Sequence, residues 1–180
     1  MRRLTIILML AWGLIQSPIT TLHAQSIEML VPKTGETKCF GRTYDRAHLS
    51  QHPDQLVTSI MLRLKTFQKA EEGEGFPFMI AVTVRGDDRM HLTGDVCNRS
   101  SDARSVRCIV VCDMGAFTIT PATRRGSLRV ELDRLAFASD CGGDEQALFE
   151  LNPGKDDKVF RLDPLLPEKC DALFGNGYWR

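Results

Sequence analysis

The sequence has no excess of either charge: 23 Lys and Arg residues stand against 23 Asp and Glu residues in a chain of 180. Proteins that bind nucleic acid present clustered positive charge to the phosphates, so we expect no nucleic-acid partner. The chain also lacks the glycine-rich motifs that hold nucleotides and the Gly-x-Ser-x-Gly motif of many hydrolases. We therefore expect no cofactor.

Spanning a bilayer takes about 20 apolar residues, and the sequence has no apolar run of that length. The longest apolar run is a shorter one at the start of the chain, where Met1-Arg-Arg precedes an apolar stretch over 4–15 and Ala24 supplies a small residue for cleavage. This pattern is typical of a secretory signal peptide. We predict a signal peptide at 1–24 and a single β domain at 25–180, secreted or periplasmic, with no membrane span after signal removal.

Six cysteines lie in the predicted mature chain, and an even number behind a signal peptide is typical of disulfide bonds. On a regular strand Cys108 and Cys112 would lie ~13 Å apart, beyond the ~7 Å Cα separation of a disulfide. Each therefore needs another partner, and a hairpin loop at 98–107 would place Cys97 opposite Cys108. Buried free thiols are the alternative. The predicted bonds are Cys39–Cys170, Cys97–Cys108 and Cys112–Cys141.

Apolar and polar residues alternate along most of the mature chain, as they do in half-buried strands. The predicted strands cover 37–44, 55–67, 76–85, 89–97, 104–120 with a break at Met114–Gly115, 127–133 with an extension to 137, 146–151 and 158–162. A helix is the alternative for 55–67, because Leu, Met and Lys are good helix formers. The segment 104–120 is apolar on both faces near its middle, which predicts a central strand covered on both sides.

Short strands linked by turns predict an all-β fold, either an antiparallel barrel or a sandwich of about eight strands. Long strands joined by hairpins favour the barrel. One or two short helices accompany the strands, at 45–52 with Asp45 as the capping residue and around 168–174. The disulfides would staple this fold.

Asp45, His48 and His52 form a candidate metal site within the first predicted helix. His48 and His52 share one helix face, and Asp45 precedes them by one turn. Such a set could supply three metal ligands. The alternative is a short exposed helix with two polar side chains.

A barrel of about eight strands can hold one small ligand or be filled by its own side chains. In a carrier, an apolar ligand would lie against four inward-facing residues, Phe78, Val82, Val110 and Phe137. In a filled barrel, the same residues would form the core.

Two segments resemble known proteins. The Cys-Phe-Gly-Arg-Thr-Tyr segment at 39–44, with the barrel-like strand series, resembles the lipocalin-type calycins, but their Gly-x-Trp signature is absent because Arg and Thr follow Gly41. This resemblance implies a barrel and no particular ligand. The Cys-x3-Cys-Asp segment at 108–113 and the Asp-Cys-Gly-Gly segment at 140–143 resemble small secreted bacterial proteins of unknown function, which implies no activity.

These observations predict a binding domain that performs no chemistry. The first hypothesis is a carrier of a small apolar molecule or lipid. The alternative is a structural, interaction or inhibitor-like envelope protein, which would have a filled barrel and bind through its outer surface. A metal-dependent enzyme is the third hypothesis. The expected partner is thus a small molecule or an envelope protein.

Overall fold

The computed structural model describes residues 26–66, 75–101, 104–124, 126–137, 149–154 and 156–175. The predicted signal peptide and Cys141 lie outside these residues. The strands are β1 (Thr37–Thr43), β2 (Val57–Lys65), β3 (Phe76–Val84), β4 (Asp87–Arg99), β5 (Val106–Val110), β6 (Gly115–Pro121), β7 (Leu128–Phe137), β8 (Phe149–Leu151) and β9 (Val159–Leu165). The α-helices are α1 (Arg46–Gln51) and α2 (Pro167–Phe174), and 3-10 turns span Ile27–Met29 and Val111–Asp113.

Eight strands close into an antiparallel barrel in the order β1-β2-β3-β4-β5-β6-β7-β9, with β9 returning to β1. The ninth strand, β8, pairs with the last residues of β7, beyond the part of β7 that pairs with β9. The predicted all-β class is confirmed, and the pairing of β6 with β7 makes the fold a barrel rather than a sandwich.

The inward-facing residues of the barrel strands form one packed cluster. At its centre Phe78 and Phe117 are 1% and 0% exposed, and their rings meet edge to face with centroids 5.0 Å apart. On β2, the inward Ile60, Leu62 and Leu64 are all buried, which confirms the predicted strand over the helix.

The outward face of β4 and β5 differs from the prediction. The expectation that the middle of 104–120 is covered on both sides is wrong, because Ile109 and Val111 are 46% and 38% exposed. Cys112 does not continue the strand either. β5 ends at Val110, and Cys112 and Asp113 adopt positive φ angles of 59° and 56° in the turn to β6.

Two of the predicted disulfides are confirmed, Cys39–Cys170 and Cys97–Cys108, with Cα separations of 5.7 and 3.9 Å. Cys112 is also disulfide-bonded, but its predicted partner lies outside the described residues. These bonds fit a protein of an oxidising compartment. No helix in the described part of the chain is both long and apolar enough to cross a membrane.

Helix α2 covers the outside of β1–β3 and is held there by a buried cation. Arg63 alternates with the core residues of β2, a parity that the sequence assigns to solvent, yet it is 2% exposed. Its guanidinium donates a 2.8 Å hydrogen bond to the Gly175 carbonyl, lies 3.8 Å from the Asp171 carboxylate and packs over the Phe174 ring. The covering helix, together with Cys39–Cys170, is therefore the reason for its burial.

Candidate functional site

A gap opens in the barrel wall where β1 and β9 diverge. The two strands pair only over Cys39–Gly41 and Asp163–Leu165, although both continue beyond these residues. A side chain at Gly41 would bring its Cβ within 2.8 Å of Leu165, so glycine permits the close approach at the paired end. Past Gly41, the space between the strands is lined by side chains from both and from α1.

This space is a groove of about 390 Å³, called here the α1 groove. Its lining residues are Arg42, Tyr44, His48, His52, Gln55, Asp156, Lys158, Val159 and Arg161. A second groove of about 400 Å³ adjoins it and shares Arg42 and Arg161. The α1 groove lies within the usual size range of small-molecule sites, about 300–1,000 Å³.

Helix α1 forms one wall of the groove, and its position is set by polar contacts. Asp45 caps the helix by accepting a 2.7 Å hydrogen bond from the His48 backbone N–H. Arg85, in the β3–β4 turn, donates to the carbonyls of Leu49, His52 and Gln55. Because one guanidinium engages three carbonyls, the helix end and the following loop are tied to the same turn.

Three aromatic rings form a stack along this wall. The His48 ring lies between Tyr44 and His52, with centroid distances of 4.7 and 4.4 Å. Burial raises the pKa of Tyr44 to about 12, so the phenol is protonated at neutral pH. The Arg42 guanidinium lies over the Tyr44 ring, 5.2 Å from its centroid, and extends the stack with a positive charge.

The His48 ring is held in one orientation by Gln55. The Gln55 side-chain amide donates 2.7 Å to the Val57 carbonyl, so its oxygen faces His48 Nε2 at 3.0 Å. An amide oxygen only accepts, hence His48 Nε2 carries the proton in this contact. The buried Gln55 therefore fixes the histidine at the middle of the stack.

The opposite wall is the start of β9, anchored by Asp157. Its carboxylate accepts hydrogen bonds from the backbone N–H groups of Leu56 and Val57, at 2.6 and 3.2 Å. Burial raises the pKa of Asp157, while the two N–H groups act in the opposite direction. Its neighbour Asp156 points into the groove, with one carboxylate oxygen 3.6 Å from His52 Nδ1.

The walls carry more positive than negative charge. Arg42, Lys158 and Arg161 line the α1 groove against the single carboxylate of Asp156. Arg161 lies 3.8 Å from Asp163, outside this groove. The arrangement is suited to a ligand with negative charge.

Asp163 links the groove to the β6–β7 turn and provides a pH-dependent prediction. A hydrogen bond from the Ser127 hydroxyl (2.7 Å), with the charges of Arg161 and Arg124, holds the pKa of Asp163 below its usual value. The stabilisation is complete above the unfolded pKa of about 4 and is lost as the pH falls through the lower folded pKa. We expect Ser127→Ala to lower the free energy of unfolding by about 1 kcal/mol at pH 7 and by less at pH 3. Urea denaturation measures both values, and an equal difference at the two pH values would contradict this role.

The candidate metal residues are adjacent but engaged elsewhere. The Asp45 carboxylate caps α1, Nε2 of His48 bonds to Gln55, and His52 faces Asp156. In the ranges that the structure describes, no group of three or more His, Cys, Asp or Glu side chains is placed to hold a metal ion. Metal binding by Asp45, His48 and His52 stays a prediction.

The four candidate ligand-contact residues all belong to the core cluster. Phe78, Val82, Val110 and Phe137 are 1–3% exposed. None of them lines the α1 groove or the groove beside it. Their contact with an apolar ligand stays a prediction.

The inner face of β4 is more polar than the sequence suggests. Its apolar Met90 and Leu92 point outward and are 42% and 39% exposed, whereas His91 points inward and stacks on Phe149. Within the described residues, His91 Nε2 has no well-aligned hydrogen-bond partner, although an Asp87 carboxylate oxygen lies 3.3 Å away. Burial raises the pKa of the inward-facing Asp95.

Sequence reasoning found His48 and His52 but missed the arginines of the α1 groove, Arg42 and Arg161. Arg161 alternates with the core residues Phe160 and Leu162, so it looks like any outward strand residue. Its nearness to Arg42 depends on the pairing of strands about 120 residues apart in the chain. No local signal carries that information.

Comparison with known proteins adds no functional assignment. No protein-family model matches the chain, and neither a curated protein nor a solved structure is significantly similar to it.

Proposed function

We propose that the mature chain is a secreted or periplasmic binding domain that performs no chemistry and binds its ligand on the outside of a filled barrel. One observation carries this proposal: inward-facing side chains pack into a single cluster, while charged and aromatic side chains converge on the α1 groove. Ligand sites combine a concave shape with a few converging polar groups, and the groove has both.

The disulfides support the proposed secreted or periplasmic location. Cys39–Cys170 and Cys97–Cys108 are bonds that persist in oxidising compartments. Such bonds also add to the stability that the hydrophobic core of a small secreted domain provides. The proposed location follows from these bonds together with the signal-like start of the sequence.

The carrier hypothesis requires space inside the barrel that the packed cluster argues against. Phe78 and Phe117 meet at the centre in edge-to-face contact, and the Cys97–Cys108 bond lies fully buried beside them. An internal ligand would have to displace these side chains. Binding on the outside needs no such rearrangement.

Titration of the oxidised mature protein with the neutral apolar dye N-phenyl-1-naphthylamine distinguishes a ligand inside the barrel from a ligand on its outside. We expect no saturable rise in fluorescence, because the inward-facing side chains of the described strands pack into one cluster. A saturable one-to-one rise that Val82→Phe abolishes would show a ligand space inside the barrel and overturn the proposal. The neutral dye avoids attraction to the cations of the α1 groove.

A further inference from the structure

Three cations converge on the α1 groove. Arg42 reaches it from β1, Arg161 from β9 and Lys158 from the residue before β9. These three cations face one carboxylate, Asp156, which lies beside His52. Each wall is anchored separately, one by Arg85 and the other by Asp157.

Of the three cations, Arg42 has the weakest contact with a carboxylate, since Asp163 acts on it only from a longer distance. Among the described residues, no carboxylate oxygen lies within 4.0 Å of its guanidinium, which is half-buried over the Tyr44 ring. A partly desolvated guanidinium that faces a groove has donors free for a ligand. Stacking on Tyr44 limits its rotamers, which lowers the entropy lost on binding.

Arg161 and Lys158 have carboxylate neighbours that are shared with other cations. Asp163 lies 3.8 Å from Arg161 and also 3.7 Å from Arg124. Glu131 lies 3.8 Å from Lys158 and 2.8 Å from Arg129. Asp163 also interacts with Arg42. Because each of the two carboxylates is shared by at least two cations, the groove keeps a net positive charge.

We infer that the α1 groove binds a small oxyanion, a molecule bearing a carboxylate or phosphate group, whose charge lies between Arg42 and Arg161. Guanidinium groups match the geometry of both oxyanions with paired hydrogen bonds. The inference rests on the proposed function and specifies the ligand class of the same site. The stacked rings of Tyr44, His48 and His52 form the wall beside the charged group.

An NMR titration of ¹⁵N-labelled mature protein tests this inference with inorganic phosphate, citrate and the neutral polyol erythritol. We expect saturable shifts of amide signals at the groove with phosphate or citrate, and the comparison of the two identifies the preferred group. Added sodium chloride should weaken the binding, because salt screens exposed charges.

Three Arg→Gln substitutions complete the test of anion binding. Arg161→Gln and Arg42→Gln should each weaken binding about 10-fold or more, the expected loss of a charge-assisted hydrogen bond. Arg107→Gln, on β5 across the barrel from β1, should leave it unchanged. Arg161 is substantially exposed, so that variant is informative even if Arg42→Gln folds poorly.

Two outcomes would overturn the inference. Equal weakening by Arg107→Gln would mean that the anions are attracted by the general charge of the protein and not by the groove. Groove shifts with erythritol and none with either anion would make the ligand class wrong while binding outside the barrel stands. The dye experiment addresses the filled interior independently, so failure of the proposed function is recognised separately.

Discussion

Removing the Cys39–Cys170 disulfide by Cys39→Ala with Cys170→Ala is expected to lower the free energy of unfolding by about 5 kcal/mol. The bond joins residues 131 apart, and the chain-entropy cost of a disulfide loop grows with its length. The same argument gives about 3 kcal/mol for Cys97–Cys108, whose residues are 11 apart. Urea denaturation of the two double variants at pH 7 measures the difference.

Which of the two disulfides costs more unfolding free energy when removed shows whether loop entropy or core packing dominates. A larger loss for Cys97→Ala with Cys108→Ala would mean that core packing outweighs loop entropy, because both cysteines are fully buried in the interior. Hydrogen exchange provides a second readout. Without Cys39–Cys170, the amides of α2 should exchange faster than those of β3, since the helix is then held by Arg63 and by apolar contacts.

Replacing Phe78 by alanine is expected to cost about 3–5 kcal/mol of unfolding free energy. This loss is the sum of the transfer free energy of the ring and the cost of the cavity that its removal leaves. Phe78 is 1% exposed and its ring contacts Phe117 edge to face. Ile109→Ala is the control, since that side chain is 46% exposed on the outer face and should change stability by about 0.5 kcal/mol or less.

The Phe78 result bears directly on the filled barrel. If the ring bordered an existing void, its removal would enlarge that void and cost much less than a packed side chain does. A loss below about 1 kcal/mol would therefore contradict close packing. Urea denaturation of the oxidised variants provides the measurement.

The outer face of β4 and β5 shows why period-two patterns do not determine which face is buried. Met90 and Leu92 are apolar and His91 is polar, yet the histidine points into the barrel. The pairing of Cys97 with Cys108 and of Val82 with His91 sets this orientation. Because a strand alternates strictly, one disulfide position decides the direction of every neighbour.

Arg63 shows that a residue on the outer face of a strand can still be buried. Its position between Leu62 and Leu64 marks it as an outward residue, which is correct, and outward usually means exposed. Its burial depends on α2, which begins more than 100 residues later and reaches it through Cys39–Cys170. A covering element of this kind leaves no trace in the local pattern.

The sequence by itself determined the all-β class, most of the strand positions, the capped helix α1 and the Cys97–Cys108 disulfide across a hairpin. These features follow from local causes: alternation, turn residues, a capping aspartate and the reach of a cysteine side chain. Barrel closure, the inward face of β4 and the α1 groove were decided only by the tertiary structure. Each depends on the pairing of strands distant in the chain, above all on where β1 and β9 stop pairing beside Gly41.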